Sequence, residues 1–530
     1  MNVADYIIIG GGSAGCVLAN RLTEDKNTSV VLIEAGPPSR GFLFRMPTGS
    51  YKLMGNPQVD WMHVTEPDPS INGRSGMWNS GRTLGGGSAI NGMVYIRGAR
   101  HDYDDWAAAG CTGWSWDDVL PYFLRAEDYQ GAPSPSHGRG GPLSVSPLRI
   151  KHPLADSFVQ ACVESGLRGV EDYCAGDVDG VFVNLATQRK GERWSASRGY
   201  LEPAMSRSNL TVVTGAIADR VLFDGDRASG VRVLVNGQPR DFQANREVIL
   251  TAGALMSPAI LMRSGVGPGA HLQAMGVEVR QDAPEVGRNL QEHASFPSSR
   301  LVDTPTYNSM MGPAHMAGHL ASYLLARRGV MTATPIHAMA FLRSRPELEH
   351  PDVKLSFGPI CTDVVKRSMH KRPGVTVFTN VSPKSRGEIR LRSLDAADKP
   401  VIDHRLLGHP EDIAAMIAGA KRVEQIFDAP AFAKHVKGRN LPAARPKDDA
   451  EWESMIRTYS NIGFHPVGTC RMGADAQSVV DPQLLVRGVR GLRVADASIM
   501  PVMPSANTNA PAMMVAEKAA DLIRRGVNAA

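Results

Sequence analysis

The sequence predicts an α/β protein: a Rossmann-like nucleotide domain carrying an inserted α+β domain built on an antiparallel sheet. Three observations predict it. The first 35 residues read as strand, glycine turn, helix and strand. "GLRVADAS" (491–498) is a further apolar strand near the other end of the chain, ending at Asp496. Between about 300 and 470 the pattern changes to short strands and one covering helix.

"DYIIIG" (5–10) and "SVVLIEA" (29–35) are short β-branched runs, as buried strands are. The turn between them carries G-x-G-x-x-G as Gly10, Gly12 and Gly15. Gly10 permits the tight turn, Gly12 admits a pyrophosphate, and Gly15 lets helix pack on strand. The helix N-terminus offers unpaired N–H groups to phosphate. Glu34 follows Gly15 by 19 residues, where a carboxylate accepts from a ribose diol. Gly11-Gly12-Ser13-Ala14-Gly15 also fits a G-x-S-x-G nucleophile elbow. That elbow lies deeper in a hydrolase fold, and Glu34 already has a role, so the dinucleotide reading is preferred.

A second glycine cluster, "NSGRTLGGGSAINGMVYIRG" (79–98), predicts a loop lying against a flat ligand. "YQGAPSPSHGRGGPLSVSPLR" (129–149) reads as a loop. Residues 209–254 read as a small meander that rejoins the main sheet at "VILTAGA". In "GALMSPAILMRSGVG" (253–267), Ser257 is expected to cap a helix with Pro258 at its first position. "VKLSFGPI", "VTVFTNV" and "GEIRLRS" read as strands. Ile413, Met416, Ile417, Ala420, Val423, Ile426 and Phe427 form a core stripe at helical spacing.

The chain has 530 residues and a net charge of +5, with no dense basic run, so nucleic acid is not an expected partner. No run approaches the roughly 18 apolar residues of a membrane span. The start MNVADY has no basic leader, and the six cysteines are scattered, so a cytoplasmic, reducing setting is expected. His315 and His319 are four residues apart but lack the glutamate of H-E-x-x-H, and no metal is expected.

The glycine cluster G-R-x-L-G-G-G-S-x-I-N, with Tyr95, Gly98 and Asp104 after it, resembles the first signature of the glucose–methanol–choline (GMC) oxidoreductases. "GALMSPAILMRSGVG" resembles the second. "GLRVADASIMP" and "SANTNAPAMMVAEKAADLI" resemble the family's closing segments. The resemblance implies FAD and oxidation of an alcohol. It implies a mainly FAD-binding domain over 1–299 (with loop excursions at 40–75 and 129–200) and over 475–530. The mainly substrate-binding part is then 300–474. It places FAD against Gly10, Gly12, Ser13, Ala14, Gly15, Glu34, Ala35, Arg82, Leu84, Gly86, Asn91, Gly92, Met93 and Val94. Ala218, Ala252, Asp496, Ala497, Asn509, Ala510 and Pro511 complete that set. Some relatives attach flavin covalently through a histidine at the place held here by Ile90, so dissociable FAD is expected.

Oxidising an alcohol needs a base for the hydroxyl proton, and neutral imidazole suits that task. It also needs a group that holds the oxygen. His465 in "SNIGFHPVGTCRMG" taken alone reads as a core histidine. Beside the other motifs it takes the place of the family's catalytic histidine, with Asn509, 44 residues on, as its partner. Phe464 is the candidate for shaping the substrate pocket. The expected substrate is a primary alcohol, aromatic or furanic, with oxygen or a quinone- or dye-like acceptor. Choline and aliphatic alcohols are the alternatives. A choline cage needs aromatics, of which Tyr307, Tyr323, Phe341 and Phe357 are the candidates. A flavin-holding protein without alcohol chemistry is disfavoured by His465 and Asn509 occurring together.

Overall fold

The computed structural model describes residues 2–363 and 368–528. Its first sheet contains β1 (Val3–Ile9), β2 (Val30–Ile33), β3 (Leu210–Val213), β4 (Ala216–Asp224), β5 (Arg227–Val235), β6 (Gln238–Leu250) and β7 (Leu492–Val494). β3, β2, β1, β6 and β7 lie side by side in parallel. Strands buried on both faces carry continuous apolar runs, and the central residues of β1 and β2 are fully buried. The meander joins through β6. Its first half pairs antiparallel with β5, and its second half runs parallel to β1 and β7.

α1 (Ser13–Leu22) follows β1, and α2 (Gly253–Arg263) follows β6. α2 corrects the expected cap. It begins at Gly253, so Pro258 stands inside the helix and Ser257 does not cap it. Gly253 N–H donates to Asp496 Oδ2 at 2.8 Å, and Ser257 Oγ donates to the same oxygen at 2.6 Å. Proline cannot donate to the carbonyl four residues before it, that of Ala254. Thr469 Oγ1 donates to that carbonyl at 2.6 Å, so the helix continues without an orphaned acceptor. α3 (Asn509–Asn528) closes the chain against α1.

The second sheet is antiparallel throughout. Its order is Val436–Leu441, Ala294–Val302, Gly374–Val381, Val353–Gly358, Ala338–Leu342 and Gly180–Val183, with Asn461–Ile462 also on Ala294–Val302. The helix Pro410–Asp428 covers it, and its predicted apolar stripe is buried there. The expected boundary at 299/300 falls within the strand Ala294–Val302, and Gly180–Val183 reaches this sheet from the 129–200 excursion. Within 129–149, expected to be loop, Leu143–Pro147 forms a strand parallel to Glu127–Tyr129. Leu143, Ser144 and Val145 are all buried there, which a run of turn residues on either side conceals in the sequence. Glu388–Arg390 pairs with Val401–Asp403 in a separate ribbon.

Candidate active site

Ligands of an open parallel sheet bind beyond the carboxyl ends of its strands. Here those ends are followed by Gly10, Glu34 and Thr251, and a cleft is lined by Gly10, Gly12, Glu34, Ala35, Ala218 and Ala252 among others. Gly10 has φ +108°, and a Cβ on Gly15 would stand 2.0 Å from the Gly10 carbonyl oxygen. The missing side chain is what lets α1 pack this closely on the turn. Ser13 and Ala14 form the first turn of α1, which has Gly12 as N-cap and no side-chain cap, so its N–H groups remain for a ligand. Glu34 is buried, and its carboxylate accepts from Gly11 N–H at 2.9 Å and Gly36 N–H at 2.8 Å. Burial raises its pKa above the usual carboxylate range.

The second glycine loop packs on the first. Gly85 N–H donates to the Gly11 carbonyl at 2.7 Å. Gly86 has φ +50°, and a Cβ there would lie 2.8 Å from the Gly12 Cα. Leu84 is buried against Gly11. Arg82 lies over the Trp61 ring, and its buried Nε has no partner among the described residues. Asn91 Oδ1 accepts from Arg193 and from Met93 N–H. Gly92 meets Pro335 of the second layer, Met93 turns with φ +61°, and Val94 starts a short strand. A backbone cradle, an uncapped helix start and an unpartnered cationic nitrogen fit a dinucleotide. Ile90 is buried against Leu53, Val59 and Ala89, which is apolar packing with no nucleophile.

Asp496 and Ala497 follow β7, and Asp496 Oδ1 accepts from Ser498 N–H at 2.8 Å. The histidine loop pairs with this same turn. Gly468 N–H donates to the Ala497 carbonyl, and Cys470 N–H to that of Ser498. His465 is thereby held at the carboxyl end of the parallel sheet. Phe464 has φ +66° and an exposed side chain. Positive φ in a bulky residue is a strained state, retained here next to the histidine.

His465 is partly buried, and its ring has two recorded partners. Nδ1 lies 3.1 Å from His293 Nδ1, and Nε2 lies 2.9 Å from Asn507 Nδ2. Its backbone N–H donates to Glu292, at 2.8 Å to Oε2. Burial first, then the positive charge of Lys354, holds the His465 pKa well below the usual histidine value. Burial pushes Glu292 up to about 8 and Lys354 down to about 8.

Strand register assembles this group. Lys354 pairs with Asn380, Asn380 with Ser295, and Ser295 with Asn461, just ahead of the histidine loop. Gln291 then ties the loops together. It exchanges backbone hydrogen bonds with Val467, and its side chain donates to the Pro501 carbonyl and accepts from Met503 N–H.

Asn509, the expected partner of His465, donates from Nδ2 to Ser13 Oγ at 2.8 Å, and Ala510 and Pro511 are buried behind it. Asn507, two residues earlier, is the amide against the histidine ring, and its buried Oδ1 has no partner among the described residues. Sequence reading missed Asn507, Glu292, His293 and Lys354. The run "NLQEH" (289–293), a polar cluster at the start of an apolar strand, is the visible signal for Glu292 and His293; Lys354 lies in the strand run "VKLSFG" and Asn507 in "SANTNAP".

Two family models described as GMC oxidoreductase match residues 4–295 and 383–516. The chain is 41% identical over 533 residues to an alcohol dehydrogenase [acceptor] from Pseudomonas putida, covering 99% of this chain and 96% of that one. It is 38% identical over 524 residues to an oxygen-dependent choline dehydrogenase from Sinorhizobium medicae, covering 98% and 95%. The solved structure of pyridoxine 4-oxidase from Mesorbium loti superposes with a TM-score of 0.90 at 31% identity, over 98% of this chain and 99% of that one. The glycine cradle, the two-layer architecture and these full-length similarities have one meaning: the chain belongs to the GMC oxidoreductases, FAD-dependent enzymes acting on CH–OH donors.

Proposed function

We propose that this protein oxidises a primary aromatic or furanic alcohol to its aldehyde, with His465 taking the hydroxyl proton. The observation that carries the proposal is the state of the His465 ring. Burial and Lys354 keep it neutral at pH 7. The hydrogen bond between the two Nδ1 atoms puts a proton on His465 Nδ1 when His293 accepts, which leaves a lone pair on Nε2. Bound FAD supplies the hydride acceptor.

A side-chain amide of the 505–511 loop then holds the alcohol oxygen without competing as a charge. Asn509 is the amide that the family pattern assigns. Asn507 is the one whose Nδ2 already faces Nε2, with its own Oδ1 unsatisfied. The alcohol is read by the antiparallel layer, mainly 300–474, with Phe464 at its edge. FAD is held by 1–299 and 475–530 without a covalent bond, because Ile90 offers no nucleophile, and denaturation should release it.

Pyridoxine 4-oxidase, named for an aromatic alcohol, supports the substrate class. The choline reading has the similarity to choline dehydrogenase in its favour. The four aromatic candidates do not favour it: Phe357 packs between Phe158 and Phe432, and Phe341 stacks near Phe182. Tyr323 lies against Phe42, and Tyr307 beside His152 and His337.

His465→Ala should stay yellow and lose flavin reduction by about 10²- to 10⁴-fold, the usual contribution of a general base. Anaerobic mixing with an aryl alcohol measures this, and a near-normal rate rejects the assignment. The same alcohol panel, assayed for peroxide in air and for dye reduction without it, identifies substrate and acceptor.

A further inference from the structure

The helix Pro313–Ala326, PAHMAGHLASYLLA, contains no charged side chain. Apart from His315, His319 and Ser322 its side chains are apolar, and such a helix is normally covered. Here Tyr323 alone of its described residues is buried, while Leu320 is 38%, Leu324 52% and Leu325 89% exposed. A second segment extends the same face. Phe42 is 41%, Tyr51 47% and Met54 36% exposed. The Phe42 ring meets Tyr323 edge-on at 5.6 Å, and Thr48 Oγ1 donates to the Met331 carbonyl, so the two segments are continuous. The underside is anchored: Leu53 packs with Ile90, and Arg193 joins the Pro47 carbonyl to Asn91.

The two segments that build this face carry cations and no acid of their own; the nearby Glu192 is taken up by Arg327 at 3.2 Å. No aspartate or glutamate occurs between residues 40 and 59, or between 304 and 346. Those stretches carry the exposed cations Arg40, Arg45, Lys52 and Arg328. A two-fold dimer through this face would bring the same cations toward their own copies. A layer with an apolar interior and an anionic surface satisfies the apolar side chains and the cations together.

We propose that this face docks on the surface of an anionic lipid bilayer. Leu320, Leu324, Leu325, Phe42 and Tyr51 enter the acyl boundary, and Arg40, Arg45, Lys52 and Arg328 meet the headgroups. Docking is peripheral, since no described helix is long and apolar enough to cross a membrane. None of these side chains belongs to the flavin cradle or the histidine cluster.

The test is co-sedimentation of the full-length, FAD-loaded protein with vesicles of phosphatidylcholine, alone or with roughly a third phosphatidylglycerol. Pelleting is expected with the anionic vesicles, at least tenfold stronger than with phosphatidylcholine alone, and weakening as salt rises. Leu324→Ser with Leu325→Ser should reduce it at least tenfold while the flavin spectrum, the control for folding, is unchanged. Arg45→Glu with Arg328→Glu should remove the preference for anionic lipid. The proposal is overturned if the wild-type protein stays in the supernatant, or if the serine variant pellets equally. Self-association that the serine variant abolishes, without vesicle binding, overturns it in favour of a second copy.

Discussion

His293→Phe isolates one contact of the proposed base. His293 is buried, and its Nδ1 sits 3.1 Å from His465 Nδ1. Phenylalanine keeps a flat ring of similar size and removes the acceptor. The Nδ1–H of His465 then loses its partner, which costs about 1–3 kcal/mol for a buried donor. The competing tautomer, with the proton on Nε2, gains by that amount and cannot accept from an alcohol. At about 1.4 kcal/mol per factor of ten, flavin reduction should slow by about 5- to 150-fold. Stopped-flow reduction without oxygen, at saturating aryl alcohol, reads the step directly. His293→Asn, whose amide oxygen can accept in place of the imidazole, should recover much of the rate. Flavin content should not change, because no recorded contact of His293 involves the glycine turns. An unchanged reduction rate in His293→Phe would refute the tautomer argument, as would an equal loss in both variants.

Three further outcomes follow from the geometry. Gly15→Ala places a Cβ 2.0 Å from the Gly10 oxygen and 2.9 Å from Thr251 Oγ1, so purified protein should lose most of its FAD, read as the ratio of flavin to protein absorbance. Buried Glu424 accepts from Arg300, Arg439 and Arg445; Glu424→Ala leaves the buried Arg300 uncompensated and should cost about 3–5 kcal/mol in denaturant unfolding. His63 is fully buried with neither ring nitrogen partnered, and burial lowers its pKa to about 4. As pH falls from about 6.5 to 4 the unfolded chain takes up its proton first, and stability falls by about 3 kcal/mol. His63→Phe should flatten this acid limb in thermal melts, leaving the wild-type slope elsewhere, and an unaltered limb counts against it.

The nucleotide half was legible because its signals are local. Gly10, Gly12, Gly15 and Glu34 lie on one strand–turn–helix–strand unit, where spacing alone dictates geometry. The meander and the stripe of Pro410–Asp428 were legible through periodicity. Pro258 misled because its local preference for a helix start was overridden by Thr469, 215 residues from the carbonyl it satisfies. The second sheet gathers Gly180–Val183 with strands more than 100 residues later, which no window of sequence reveals. His293 and His465 are 172 residues apart, and Lys354 reaches them only through the register of three strands.

That register has a chemical consequence under the proposed reaction. Burial pushes the Glu292 carboxyl up and the Lys354 ammonium down, each to about 8, and the two interact. Falling pH favours the neutral carboxyl and the ammonium, and rising pH favours the carboxylate and then the free amine. The ground behind His465 therefore becomes less positive as pH rises. A positive background stabilises negative charge developing on the alcohol oxygen, but it also opposes a proton arriving on His465 Nε2. His293 meets the second demand in part: by accepting from Nδ1 it stabilises the ring that has taken a proton at Nε2. Fixing the background charge removes one half of this balance. Glu292→Gln retains the neutral form, and the dependence of flavin reduction on pH around 8 should then follow Lys354 alone.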